Sequence, residues 1–149
     1  MRKLFYAATI YLVLGLASGL YYREFTKTND YTAADGFTQL SVVHTHVLTL
    51  GVMMLLIVLV LEKVFTLSNS KTFGWFFWIY NLGLVVTSTA MTVNGTLHVL
   101  GHEASNALIG ISGSGHMLLT AGFVLLFVAI GSGIRSDRKM TPASASAAE

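Results

Sequence analysis

The chain has 149 residues, of which 54% are hydrophobic and 11% charged, with a formal net charge of +2 and no cysteine. A soluble domain of this length carries roughly twice that charged fraction, so a water-soluble globule is excluded as the leading class. The short, dispersed basic clusters argue against a nucleic-acid partner, and the lack of cysteine removes disulfides, thiolate metal sites and covalent haem attachment through C-x-x-C-H.

Four long runs carry no charge: Leu4 to Tyr22, Thr38 to Leu61, Thr72 to Leu97, and Ala104 to Ile134. A spanning helix needs roughly 20 mostly apolar residues, so each run can cross a bilayer once. Inside lipid the backbone must satisfy its own hydrogen bonds, which makes each run a helix. The predicted fold class is all-α, an integral membrane four-helix bundle over residues 1–139, followed by a disordered tail, 140–149, of small and polar residues.

The first run follows Arg2 and Lys3 and could pass for a secretory signal. It is longer than a signal's apolar core and no small-x-small cleavage site follows it, so it reads as a retained span. Gly15 and Gly19 within it form a small-xxx-small pair, which allows close helix approach. Residues 23–37 read as a loop with turn formers Asn29, Asp30 and Gly36. Residues 62–71 form a second loop, and 95–106 a third, which can continue the third helix. Trp75, Phe76, Phe77, Trp78 and Tyr80 read as an interfacial aromatic belt, and Tyr21 and Tyr22 as its counterpart.

Lysine and arginine fix the orientation. Arg2, Lys3, Lys63, Lys71, Arg135, Arg138 and Lys139 fall on one side, against Arg23 and Lys27 on the other. Both termini are therefore expected to be cytoplasmic.

All five histidines return to the opposite, outer side. His44 and His46 open the second run, His98 and His102 follow the third, and His116 lies early in the fourth. At about 1.5 Å rise per residue, His46, His44 and His116 come out about 22, 25 and 27 Å from the inner ends of their helices. In a core about 30 Å thick they sit just inside its outer edge. His98 and His102 come out near or beyond it. An ionisable or ligand-forming side chain at such depth is costly and marks function. His44 and His46 are about 200° apart on a helix, so they serve different centres on either side of it. His98 and His102, four apart, share one face if the helix continues, a spacing that suits one metal ion.

Imidazole ligands suit iron, copper or zinc, and well-separated histidines in an apolar bundle suit haem best. Gly51 lies almost two turns below His44, where a missing side chain could admit a porphyrin edge. Arg23, the sole outer arginine, is the candidate partner for the propionates. Gly110, Gly113 and Gly115, just before His116, could leave room for a flat cofactor. Met53, Met54, Met91 and Met117 read as filler rather than a copper path.

The segments HTHVLTLG at 44–51, LEK at 61–63, REF at 23–25, YNLGL at 80–84 and ISGSGH at 111–116 resemble a family of small, four-span bacterial membrane proteins of unknown function. The resemblance covers residues 1–134. That family looks distantly related to subunit I of the haem-copper oxidases, whose twelve spans form three four-helix arcs. There an H-x-H pair on one helix ligates two haems, one on each side, which matches His44 and His46. This chain has the size of one arc, which implies a homotrimer closing at three, with a dimer as the alternative. It departs from that pattern in having no adjacent histidine pair, no histidine–tyrosine crosslinking pattern, and no acid inside a predicted span.

The sequence thus points to a haem b-binding membrane protein for electron transfer or diatomic-gas sensing and handling, served by a redox partner. Redox catalysis stays open, proton-pumping oxygen reduction is not expected, and no catalytic residue is assigned. The alternative is copper or zinc binding or transport by His98, His102 and His116 with Glu103. The partners implied are membrane lipid and further copies of the chain.

A reporter fused after Glu149 should read cytoplasmic, and one inserted near Asn29 external. An external reading after Glu149 would reverse the orientation and move the histidines to the inner leaflet.

Overall fold

The computed structural model describes residues 1–103 and 105–140. Four long helices follow one another: α1 (Arg2–Thr28), α2 (Leu40–Phe65), α3 (Lys71–Val99) and α4 (Asn106–Met140). Each is long and apolar enough to cross a membrane, and no strand occurs among the described residues. The predicted fourth run begins at Ala104, which lies outside the described residues, as does the expected tail from 141 onward. Residue Met140, placed in that tail by sequence, ends α4.

Every helix continues past the C-terminal end of the uncharged stretch that announced it. Apolarity marks the part of a helix that suits hydrocarbon, whereas local capping decides where the hydrogen bonding stops. Helix α1 continues through Arg23 and Glu24 to Thr28 and ends where the Asn29 side-chain amide donates to Phe25 O at 2.8 Å. Thr32 and Asp35 then form a capping box around the 3-10 turn Ala33–Asp35. Donation from the Thr32 backbone N–H, and then from its hydroxyl, holds the Asp35 carboxyl below its ordinary value. Helix α2 stops at Thr66, in the left-handed region at φ 48°. Ser70 caps α3 by accepting the Thr72 N–H at 3.2 Å.

Glu62 departs from the expectation that no acid lies inside a span. Helix α2 runs on to Phe65, and Glu62 is buried in its last turns. Its carboxylate accepts the Ser68 N–H at 2.8 Å and the Ser68 hydroxyl. A buried carboxylate needs such donors. Here they tie the end of α2 to the 3-10 turn Leu67–Asn69.

The helices run up and down, so one end of the bundle gathers Arg2, Lys3 and Lys71. The other gathers Tyr21 beside Thr96, Tyr31 beside His98, and Thr38 beside Gly95. Close approach depends on missing side chains. Gly95 lies against the backbone of Leu40, where the Thr38 hydroxyl also donates to Gly95 O at 3.0 Å. Gly15 faces Leu48 and Gly19 faces His44, so the α1 glycine pair does seat α2. Gly83 and Gly115 bring α3 and α4 together, with a Cβ on Gly83 only 2.8 Å from the Leu119 nitrogen.

The aromatic cluster of α3 divides rather than forming one belt. Trp75 and Trp78 are 64% and 66% exposed, as an interface belt requires, but Phe76 and Tyr80 are fully buried. Helical periodicity turns Phe76 and Tyr80, four apart, to one face. There they join Leu55, Val58 and Leu84 in the core.

Gly95→Ala should cost on the order of 1–3 kcal/mol, because backbone on α2 cannot yield to a new Cβ. Gly74→Ala, which meets open space, should be near neutral. Thermal unfolding in detergent compares them, and equal effects would refute the tight α2–α3 contact.

Candidate functional site

Helix α2 does not stay α-helical. Directly after the H-x-H, residues Val47–Met53 form a π-helix, closed by the Met54 N–H bonding to Thr49 O. Such wide turns occur frequently at functional sites. Two tyrosines hold this one. The Tyr80 hydroxyl donates to Leu50 O at 2.9 Å, and the Tyr11 ring lies against Gly51. By sequence Tyr80 reads only as part of the aromatic belt and Tyr11 carries no signal, because nothing in VLTLGVM distinguishes a π turn from an α turn.

The packing pairs give the relative depth of the histidines. Leu40 is level with Gly95, and Thr87 with Gly115. Counting along the antiparallel helices, His46 is opposite about Thr89 and His116 opposite about Val86. At about 1.5 Å per residue the two lie within about 5 Å of the same depth. His98 is roughly 13 Å nearer the histidine end.

His46 and His116 share one arrangement. His46 Nδ1 lies 3.3 Å from Val42 O and His116 Nδ1 lies 2.8 Å from Ser112 O, each one turn back on its own helix. A carbonyl only accepts, so Nδ1 carries the proton and Nε2 keeps its lone pair. Neither Nε2 has a hydrogen-bond partner among the described residues. This is how a metal-ligating histidine is commonly oriented, with the other ring nitrogen donating to a carbonyl. His46 is half-buried, whereas His116 is exposed on the side of α4.

His44 differs. It packs against Gly19 of α1, its Nε2 lies 3.3 Å from the Thr45 hydroxyl, and its Nδ1 is enclosed without a partner. Thr87 Oγ1, Ser88 Oγ and Asn94 Oδ1 on α3 are likewise buried and unpaired. A cavity of about 270 Å³ between α1, α2 and α3 is lined by Tyr11, Ser18, Val47, Ser88 and Thr92, and by no histidine.

His98 and His102 do not continue one helical face. Helix α3 ends at Val99 in a Schellman motif, with Gly101 N–H bonded to His98 O at 3.0 Å and His102 N–H to Leu97 O at 2.9 Å. Gly101, at φ +76°, supplies the left-handed residue this turn needs. The Leu-Gly-His stretch carried that stop signal. Both histidines are exposed, and the His98 ring stands edge-on to Tyr31 at 6.0 Å. Among the described residues, no three of His, Asp or Glu assemble as a metal site within the chain. The His98, His102, His116 and Glu103 set is therefore not brought together in one copy.

The remaining sequence candidates divide. The space beside Gly51 is taken by the Tyr11 ring and does not admit a porphyrin edge, because a Cβ there would already lie 2.5 Å from Tyr11 Cγ. The space beside Gly115 is likewise taken, by Thr87, while Gly110 and Gly113 face open space. Arg23 is exposed at the histidine end of α1, 3.6 Å from Glu24. Helix α4 packs along α3 and meets α2 through Met54–Phe65, away from the histidine level. A free imidazole Nε2, as on His46 and on His116, is a donor type that haem iron accepts, but α4 meets α2 away from the level of these two rings.

No curated protein and no solved structure matches the chain. A family model matches residues 1–133, which takes in all of α1 to α3 and most of α4. The chain belongs to that family, described as "Protein of unknown function (DUF2871)".

Proposed function

We propose that this protein is a haem b-binding integral membrane protein of the bacterial inner membrane, used for electron transfer or for handling a diatomic gas, with His46 and His116 as its axial ligands. The observation that carries this reading is the matched pair of Nδ1–H bonds to carbonyls one turn back, on two histidines at nearly one depth. Each bond fixes the tautomer and leaves Nε2 available in surroundings where an unused imidazole is costly. Haem would supply one-electron chemistry when both axial positions are filled, or an open position for a gas when one is.

The chain's own residues set the surroundings of that site. The π turn below His46 is held by Tyr80 and Tyr11, which fixes where the H-x-H helix presents its rings. His44 faces α1, and its unpaired Nδ1 is the candidate ligand for a second centre on that side. Arg23 remains the cation available to a propionate.

His116 is exposed at a depth that suits hydrocarbon, which calls for cover by another copy. A cyclic head-to-tail assembly brings His116 of one chain to His46 of the next. The expected resemblance to one arc of the haem-copper oxidase subunit, which rests on the sequence motifs alone, is the reason to close the ring at three.

Purified protein should be red, with a Soret band. His46→Ala and His116→Ala should each abolish or rearrange it, while His98→Ala and His102→Ala should leave it largely intact. Loss of the band in His44→Ala, with His46→Ala unchanged, would move the ligand to the other face of α2. A colourless, folded protein carrying copper or zinc would replace the haem reading.

Native mass spectrometry in mild detergent should give a trimer with one haem per subunit contact. A monomer retaining its full haem complement would refute the shared site. A dimer would replace the ring of three by a shared site between two copies.

A further inference from the structure

The opposite end of the bundle carries a second feature, independent of the histidines. A concavity of about 520 Å³ lies between the first turn of α1, the 3-10 turn after α2, and the start of α3. Arg2, Lys3 and Lys71 line it, and none has a carboxylate partner among the described residues. The Asn69 side-chain amide on the same wall is also uncommitted. Glu62 reaches Ser68 at the edge, but its carboxylate is engaged by the Ser68 N–H and hydroxyl. Three cations against one engaged carboxylate leave the concavity positive.

Its remaining wall is apolar, formed by Leu4, Phe77 and Trp78, with Trp78 66% exposed. Exposed tryptophan marks the headgroup level of a bilayer. A ligand that satisfies both walls carries a phosphate for the cations and an acyl chain for the aromatic side. Basic pockets between spanning helices recognise lipid headgroups in this way.

We propose that this concavity is a binding site for the phosphate headgroup of an anionic phospholipid, with Arg2, Lys3 and Lys71 as the cationic contacts and Phe77 and Trp78 against the chain below it. The lipid belongs to the leaflet on the side of the basic end. Inorganic phosphate shares the charge but leaves the aromatic wall unused.

The test uses the full-length protein in nanodiscs of phosphatidylcholine with a rising fraction of phosphatidylglycerol, read by native mass spectrometry of retained lipid. Phosphatidylglycerol should be retained in preference to phosphatidylcholine. Arg2→Gln/Lys3→Gln/Lys71→Gln should lower that preference about a hundredfold, at about fivefold per cation. Lys71→Gln alone should lower it about fivefold and serves if the triple variant does not fold. Lys63→Gln/Arg135→Gln, at the same end but outside the concavity, should change it less than twofold. Unchanged preference in both Lys71 variants would overturn the site. An equal loss in the Lys63/Arg135 variant would reduce it to diffuse membrane electrostatics and overturn it too. Thermal stabilisation in detergent by millimolar inorganic phosphate matching that by phosphatidylglycerol would overturn the lipid assignment.

Discussion

A helix long and apolar enough to cross a membrane leaves its polar groups to find partners inside the protein, and this requirement organises the molecule. Helical backbone meets it by construction. Hydroxyls meet it by bonding back along their own helix, as Thr9 does to Phe5 O, Thr92 to Ser88 O and Thr120 to His116 O. The π segment is where the regular ladder is interrupted, and the Tyr80 hydroxyl supplies Leu50 O with a donor from α3. Thr38 bridges to Gly95 O in the same manner. Against this background the exceptions are the unpaired Nδ1 of His44, the unpaired Thr87 Oγ1, Ser88 Oγ and Asn94 Oδ1, and the free Nε2 atoms of His46 and His116.

Close helix contact and site geometry are linked. Gly95 lets the start of α2 reach the backbone of α3, and Gly15 and Gly19 let α1 close on Leu48 and His44. These contacts determine which face of α2 each imidazole occupies. Gly83, Gly115 and Gly122 bind α4 to α3 rather than to the first half of α2. His116 is consequently left on a surface instead of inside the four-helix core. The glycines that looked like room for a cofactor are partly used for packing: Tyr11 fills the place beside Gly51, and Thr87 that beside Gly115.

The two ends of the bundle differ in chemistry for a physical reason. At the basic end, Arg2, Lys3 and Lys71 are exposed side chains whose charge stays in water or meets phosphate. At the other, the imidazoles meet neutral partners, His98 the Tyr31 ring and His44 the Thr45 hydroxyl. Glu62, the buried acid of α2, is held by the Ser68 N–H and hydroxyl, with no ion pair among the described residues.

Composition and run length alone determined the four helices, because roughly 20 uncharged residues in a row have few other stable forms. They also determined that the five histidines cluster towards one end, since an up-and-down bundle returns His44, His98 and His116 to that side. The stop at Gly101 was not read from the sequence, where 95–106 could continue the third helix; the left-handed turn shows it. Only the tertiary structure decided the rest. Hydrogen bonding, not residue type, makes Val47–Met53 a π-helix, and a partner on another helix is needed to stabilise it. Packing against α2 and α4 turned Phe76 and Tyr80 inward while Trp75 and Trp78 stayed out. Which imidazoles keep a free Nε2 depended on the carbonyls of Val42 and Ser112, and on which neighbours came close enough to bury or expose each ring.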